Sequence, residues 1–341
     1  MRNSIDFKAQ FYCEDHQLSF IHCFSSAYVH LEKIGGKIAH ECERRPNSGC
    51  NAHRIWEVFY SMSGAVCERR RYDGEPSEVQ KKVGSVNGEY YGNDDTADFL
   101  FGFAGYGYRK LTDPAAFKTA VIESIDSGKP VIAKIKSQFH LITGYDGDVL
   151  IVPDYAMYFP INALEYGGIE KMFIFGDKEE PRYKLRDAFA RLADMMEMNA
   201  DEKIWDSYID AIRHDFLELR DEDFAKLTPD KQKAVFPAIH DAMVKAWNAW
   251  TFAGCMYYNR LSLHAEMQKS AYKDIFQKIH KHCCWLTGFC NSPMYAIENM
   301  DLTKGHVEVG WIFISLIERS MKFDAELLDL IKQAIEIMDK E

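Results

Sequence analysis

Apolar residues follow two rhythms along the chain. In the first half, short apolar runs alternate with turn residues; from Tyr183 onward they recur every three or four positions, the period of a helix with one buried face. The clearest strands lie between Gly128 and Asp154, a strand-turn-strand stretch with His140 at the start of one apolar strand and Asp154 at the end of the next. A three-residue loop at Tyr145 to Gly147, with glycine in the left-handed position, would pair Gly144 with Asp148. That register sets His140 opposite Val152, one diagonal step from Asp154 on the same face. A two-residue loop on Asp146 and Gly147 would put His140 and Asp154 on opposite faces, since a slip of one residue inverts the pattern.

Upstream, Cys23, Ala27, Leu31 and Ile34 share a helical face, and Gly35 with Gly36 supplies a stop. The spacing predicts a helix of about three turns with Cys23 near its start. Ile55 to Met62 reads as a short amphipathic helix, and Glu68 to Asp73 as a charged, exposed stretch. Gly84 to Asp95 and Phe99 to Tyr108 mix glycines with aromatics. They line a substrate groove or pack at a strand edge; neither carries the Gly-Lys-Ser/Thr of a phosphate cradle. Asp113 to Gly128 has the proline-first, glycine-last signature of a helix, and Lys171 to Phe175 reads as a final strand. Asp177 to Arg182, charged and containing Pro181, looks like a linker. It separates a domain at 1–178 from one at 182–341. The second half shows helical periodicity at 184–198, 201–220, from Thr228, at 262–290, 307–319 and 325–340, a bundle of about six helices. The expected fold is α+β: a helix packed on an antiparallel sheet, followed by an all-α domain.

Composition narrows the function. With 341 residues the chain has room for two cores, and a formal net charge of -11 argues against a nucleic-acid backbone or an anionic membrane surface as main partner. Met1 to Lys8 carries no signal-peptide core, and no stretch approaches the roughly 20 apolar residues of a membrane span. Nine irregularly spaced cysteines without a Cys-x-x-Cys pair fit thiols in a reducing compartment, so the expected location is the cytoplasm. His280 and Cys284 would share a helical face as metal ligands can, but no second pair matches them, and neither a metal nor a cofactor is expected. Trp247, Trp250 and Met256 to Tyr258 form an aromatic stripe read as core.

Cys23 precedes His140 and His140 precedes Asp154, the order of a nucleophile, its base and the base's orienting carboxylate in papain-like enzymes. Amides at a helix start favour a thiolate, the attacking form. Gln17 lies six positions before Cys23, where a side-chain amide resembles an oxyanion donor. The plain alternative for Cys23 is a small apolar residue on a buried face.

The stretches Gln17 to Gly36 and Gly128 to Asp154 resemble the papain-like cysteine peptidase superfamily. The likeness is to its bacterial group, which includes the double-glycine leader peptidase domains and the N-terminal domain of the butirosin biosynthesis H protein, an acyltransferase. The resemblance implies a papain-like fold for the first half and carries over Cys23, His140, Asp154 and Gln17 as its catalytic positions. It further implies acyl transfer from a peptide, amide or acyl-thioester substrate, with water or an amine as acceptor. A non-catalytic binding or scaffold protein keeping the papain-like fold is the alternative. The helical half then covers the first domain, binds substrate or makes a homodimer.

Overall fold

The structure, a computed structural model, describes residues 2–7, 19–34, 51–71, 73–135, 138–153, 164–218, 220, 222, 223, 226, 251–253, 256, 269–297 and 302–341. In chain order its main elements are β1 (Arg2–Ser4), α1 (Phe20–Leu31), α2 (Asn51–Met62), α3 (Glu78–Val83), α4 (Asp94–Ala104), β2 (Tyr106–Leu111) and α5 (Pro114–Asp126). There follow β3 (Val131–Ile135), β4 (Gln138–Ile142), β5 (Gly144–Asp146), β6 (Val149–Ile151), β7 (Leu164–Glu165), β8 (Ile169–Lys178), α6 (Leu185–Asp201), α7 (Ile204–Ile212), α8 (Lys273–Ile297) and α9 (Leu302–Met338). The chain is thus α+β, as its patterns require. Among the described residues no helix is long and apolar enough to cross a membrane.

Two compact units form: one joins Met1–Ser63 with Val83–Leu185, the other joins Gly64–Lys82 with the helical half from Arg186. The linear division at 178–182 did not include the excursion at 64–82.

In the first unit all strand pairs are antiparallel, in two four-stranded sheets ordered β1-β5-β6-β7 and β2-β8-β3-β4. Helix α1 covers one face of the larger sheet. Its N-cap is Ser19, and Phe20, Phe24 and Ala27, at helical spacing, are fully buried. The Phe20 ring sits 4.9 Å from Phe173 on β8 and 5.5 Å from Phe139 on β4. Helix α5 starts on Asp113, whose carboxylate accepts the Ala115 N–H, and its apolar side packs into a separate cluster with Val131, Ala133, Ile142, Met172 and Ile174. These are the alternate residues of β3, β4 and β8, so the sheet has an α1 face and an α5 face.

Several sequence expectations change. The hairpin loop has two residues, Gly147 and Asp148, because Asp146 pairs with Val149 and Gly144 with Ile151. Gly147 takes φ +60° at the first loop position, which a II′-type turn reserves for glycine and which matches the twist of the strands. The stretch Phe99 to Tyr108 is the end of α4 and the start of edge strand β2, and Phe99, Phe101 and Phe103 are core. Strand β1 carried no sequence signal that we read.

In the second unit, Glu68 and Arg69 are buried rather than exposed. Arg69 lies 3.5 Å from the Asp324 carboxylate, Trp205 donates to that carboxylate at 2.9 Å, and Gln80 donates to Glu68 at 3.0 Å. Charge alone misled the reading, because partners far along the chain compensate it. The helices expected at 307–319 and 325–340 are one helix, α9: Ser320 to Asp324 holds neither glycine nor proline, and Val309, Phe313, Leu316, Ser320, Phe323, Leu327 and Ile331 continue a single buried face. The run from Thr228 and residues Trp247, Trp250, Tyr257 and Tyr258 lie outside the described residues, while Met256 is buried.

Candidate active site

Cys23 occupies the fourth position of α1, where Phe20 to Val29 are all buried, and none of its own surface is exposed. Its N–H is already used: it donates to the Ser19 carbonyl at 3.3 Å, the first bond of the helical ladder. Two further donors of this helix start are also engaged, the N–H of Phe20 by the Tyr90 carbonyl at 3.0 Å and that of His22 by Ser19 Oγ at 3.4 Å. The N–H groups of Phe20, His22 and Cys23 are therefore all engaged within the protein.

His140 lies on β4, the edge strand of the larger sheet, paired with Ala133. Its neighbour Phe139 points to α1, as the Phe20 contact shows, so the pleat turns His140 to the α5 face with Ala133 and Met172. Cys23 belongs to α1, which packs on the other face through Phe20. Burial pushes the His140 imidazole down to about 4, so it is neutral at physiological pH.

The expected pairing of Gly144 with Asp148 is replaced by Gly144 with Ile151. The β5–β6 ladder ends at Gly144 and Ile151, and between Ile142 and Gly144 the chain passes from one sheet to the other. Asp154 and Gln17 themselves lie outside the described residues.

What sequence reading missed surrounds the start of α1. His22 is buried, its Nδ1 2.8 Å from Ser19 Oγ and its ring stacked on Trp56 at 5.2 Å. The Ser-x-x-His spacing at a helix start was the available signal. Tyr90 and Tyr91 both adopt positive φ, +43° and +62°, beside Asn87 at +54°. For bulky residues this conformation costs on the order of 1–3 kcal/mol each and persists only where the surroundings impose it. Here the imposing contacts are the Tyr91 N–H to Gly84 carbonyl bond (2.7 Å), the Gly92 N–H to Glu89 carbonyl bond (2.8 Å) and the Phe20 cap. Lys171, buried on β8, donates to the Gly92 carbonyl at 2.7 Å and pairs with the Glu89 carboxylate. A lysine inside an otherwise apolar strand was legible; its partner was not.

Comparison with protein-family models, characterised proteins and solved structures returns no match. Elsewhere, His280 Nε2 lies 3.7 Å from Cys284 Sγ, but among the described residues no group of three His, Cys, Asp or Glu side chains could hold a metal ion.

Proposed function

We propose that the first unit is a papain-like domain that performs acyl transfer through Cys23, and that the arrangement described is its closed form. The observation that carries this reading is the packing of α1, which bears Cys23, directly on the sheet whose edge strand bears His140. In the reacting form, His140 takes the Cys23 proton and the sulfur attacks the carbonyl carbon of an amide, peptide or thioester. The carbon–nitrogen or carbon–sulfur bond to the leaving group then breaks, and the imidazolium returns the proton to that group. Water or an amine attacks the acyl-cysteine and releases the acyl group. Gln17 serves as oxyanion donor and Asp154 as the carboxylate that orients His140.

Reaching that form requires the contact between the α1 start and β4 to rearrange. Among the described strands β4 pairs with β3 and is the last of its sheet. Re-solvation would also return His140 toward its ordinary value, nearer the working pH of a general base.

A second reading has its own observation. Cys23 exposes no surface, which supports a non-catalytic binding or scaffold protein.

The pH dependence of Cys23 alkylation by iodoacetamide, in the native chain and in His140→Ala, separates the two. Acyl transfer predicts slow but selective labelling of Cys23 with an inflection below the ordinary thiol value of about 8.5, lost in His140→Ala. Labelling of Cys23 only on global unfolding, unchanged in the variant, makes it a core residue.

A further inference from the structure

The turn from Glu89 to Gly92 touches α1, α2, β4 and β8. The Tyr90 carbonyl caps α1, and the Tyr91 hydroxyl lies 3.5 Å from that of Tyr60 on α2. A Cβ on Gly92 would come within 2.1 Å of the Phe139 ring, next to His140 on β4. Its backbone is not in a relaxed state: the bulky aromatics Tyr90 and Tyr91 both have positive φ, and Asn87, just before the turn, does too. One side chain ties the turn to the sheet. Lys171 Nζ grips both ends, the Glu89 carboxylate and the Gly92 carbonyl, and lies over the Phe139 and Phe173 rings at 5.8 and 5.9 Å.

We propose that this turn is a strained latch, held shut by Lys171, that keeps α1 capped and Cys23 covered. Strain gives the turn a drive to open, and the lysine clamp opposes it together with the backbone bonds of Tyr90, Tyr91 and Gly92. Opening removes the Tyr90 carbonyl from the first N–H of α1 and lifts Gly92 from Phe139, freeing both the helix start and the edge strand. A ligand or substrate carboxylate that competes with Glu89 for Lys171 would bias the same equilibrium. The inference rests on Cys23 being the reactive group for its biological meaning, but the opening itself does not.

The experiment compares Cys23 alkylation in the parent, in Lys171→Met, and in Lys171→Met combined with Tyr90→Gly and Tyr91→Gly, each checked for folding by circular dichroism and urea unfolding. Methionine fills the space of the lysine stem, and Glu89, being partly exposed, rehydrates. Glycine adopts left-handed backbone without strain and so removes the drive to open. The latch predicts that Lys171→Met speeds Cys23 labelling by about tenfold or more, one decade in an opening equilibrium, and that the glycines return it most of the way to the parent rate. Gly92→Ala, which pushes against Phe139, opens the turn from its other end and must give the same increase, which covers the case of a poorly folded lysine variant.

Parent-like labelling in both opening variants overturns the latch, as does labelling of the glycine combination as fast as Lys171→Met. Acylation of Cys23 by a small thioester is read in the same samples. Faster alkylation without acylation keeps the latch and removes the acyl-transfer reading; acylation in the parent without any response to Lys171→Met does the reverse.

Discussion

The N–H of Phe20 donates to the carbonyl of Tyr90, so a strained turn closes the first turn of the helix that carries Cys23. Helix starts leave orphan donors that must be satisfied, and here one is satisfied by a backbone that pays a conformational cost to be there. Three residues on, Cys23 is fully buried and its own N–H donates to the Ser19 carbonyl. Four predictions follow from this geometry and from the helical unit.

The first concerns acid. The folded His140 value of about 4 lies below its ordinary 6.5, so between these two pH values the unfolded chain binds the extra proton. Stability is full above about pH 6.5 and falls as pH drops toward 4, by about 3 kcal/mol at most from this residue. Urea unfolding at pH 7 and pH 4.5 should show a smaller loss in His140→Gln than in the parent. Equal losses would mean that His140 titrates normally.

Two glycines provide a contrast. Gly92→Ala forces a methyl group into the Phe139 ring, itself held by Phe20 and Phe173, and should cost about 1–3 kcal/mol. Gly147→Ala has open space around it but keeps φ +60°, so only the backbone term of about 1 kcal/mol applies. Chemical denaturation of both variants checks the order; a larger loss at Gly147 would contradict it.

In the helical unit, Asp324→Ala leaves Arg69 buried without its carboxylate and removes the acceptor of the Trp205 N–H. The expected loss is about 3 kcal/mol. Replacing both partners, Arg69→Met with Asp324→Leu, should recover most of it, because the uncompensated charge leaves with the arginine. A double variant no better than Asp324→Ala would show that the pair acts through packing alone.

Elements with strong local signals were legible in the sequence. Pro114 and Gly128 bracket α5, and the spacing of Cys23, Ala27 and Leu31 marks α1. The α+β class followed from the change of rhythm near Tyr183. The failures share a physical cause, which is dependence on partners distant in the chain. Arg69 looks exposed until Asp324 arrives from α9, and the hairpin register turned on whether the loop holds two residues or three, a choice local composition left open. Cys23 and His140 were singled out by residue type and order, whereas the packing of Phe139 rather than His140 under α1 depends on the strand register, which residue order does not show. The Tyr90–Tyr91 turn has no sequence signature, since neither residue ordinarily enters left-handed backbone.

The most direct test of the central claim is the mass of the protein after incubation with a small acyl thioester such as the acetyl ester of N-acetylcysteamine, mapped to individual cysteines. The account predicts one acyl group on Cys23, formed faster in Lys171→Met, absent in Cys23→Ser and strongly slowed in His140→Ala. An adduct spread evenly over the other thiols, with Cys23 unmodified even in Lys171→Met, would contradict it and leave Cys23 as part of the core.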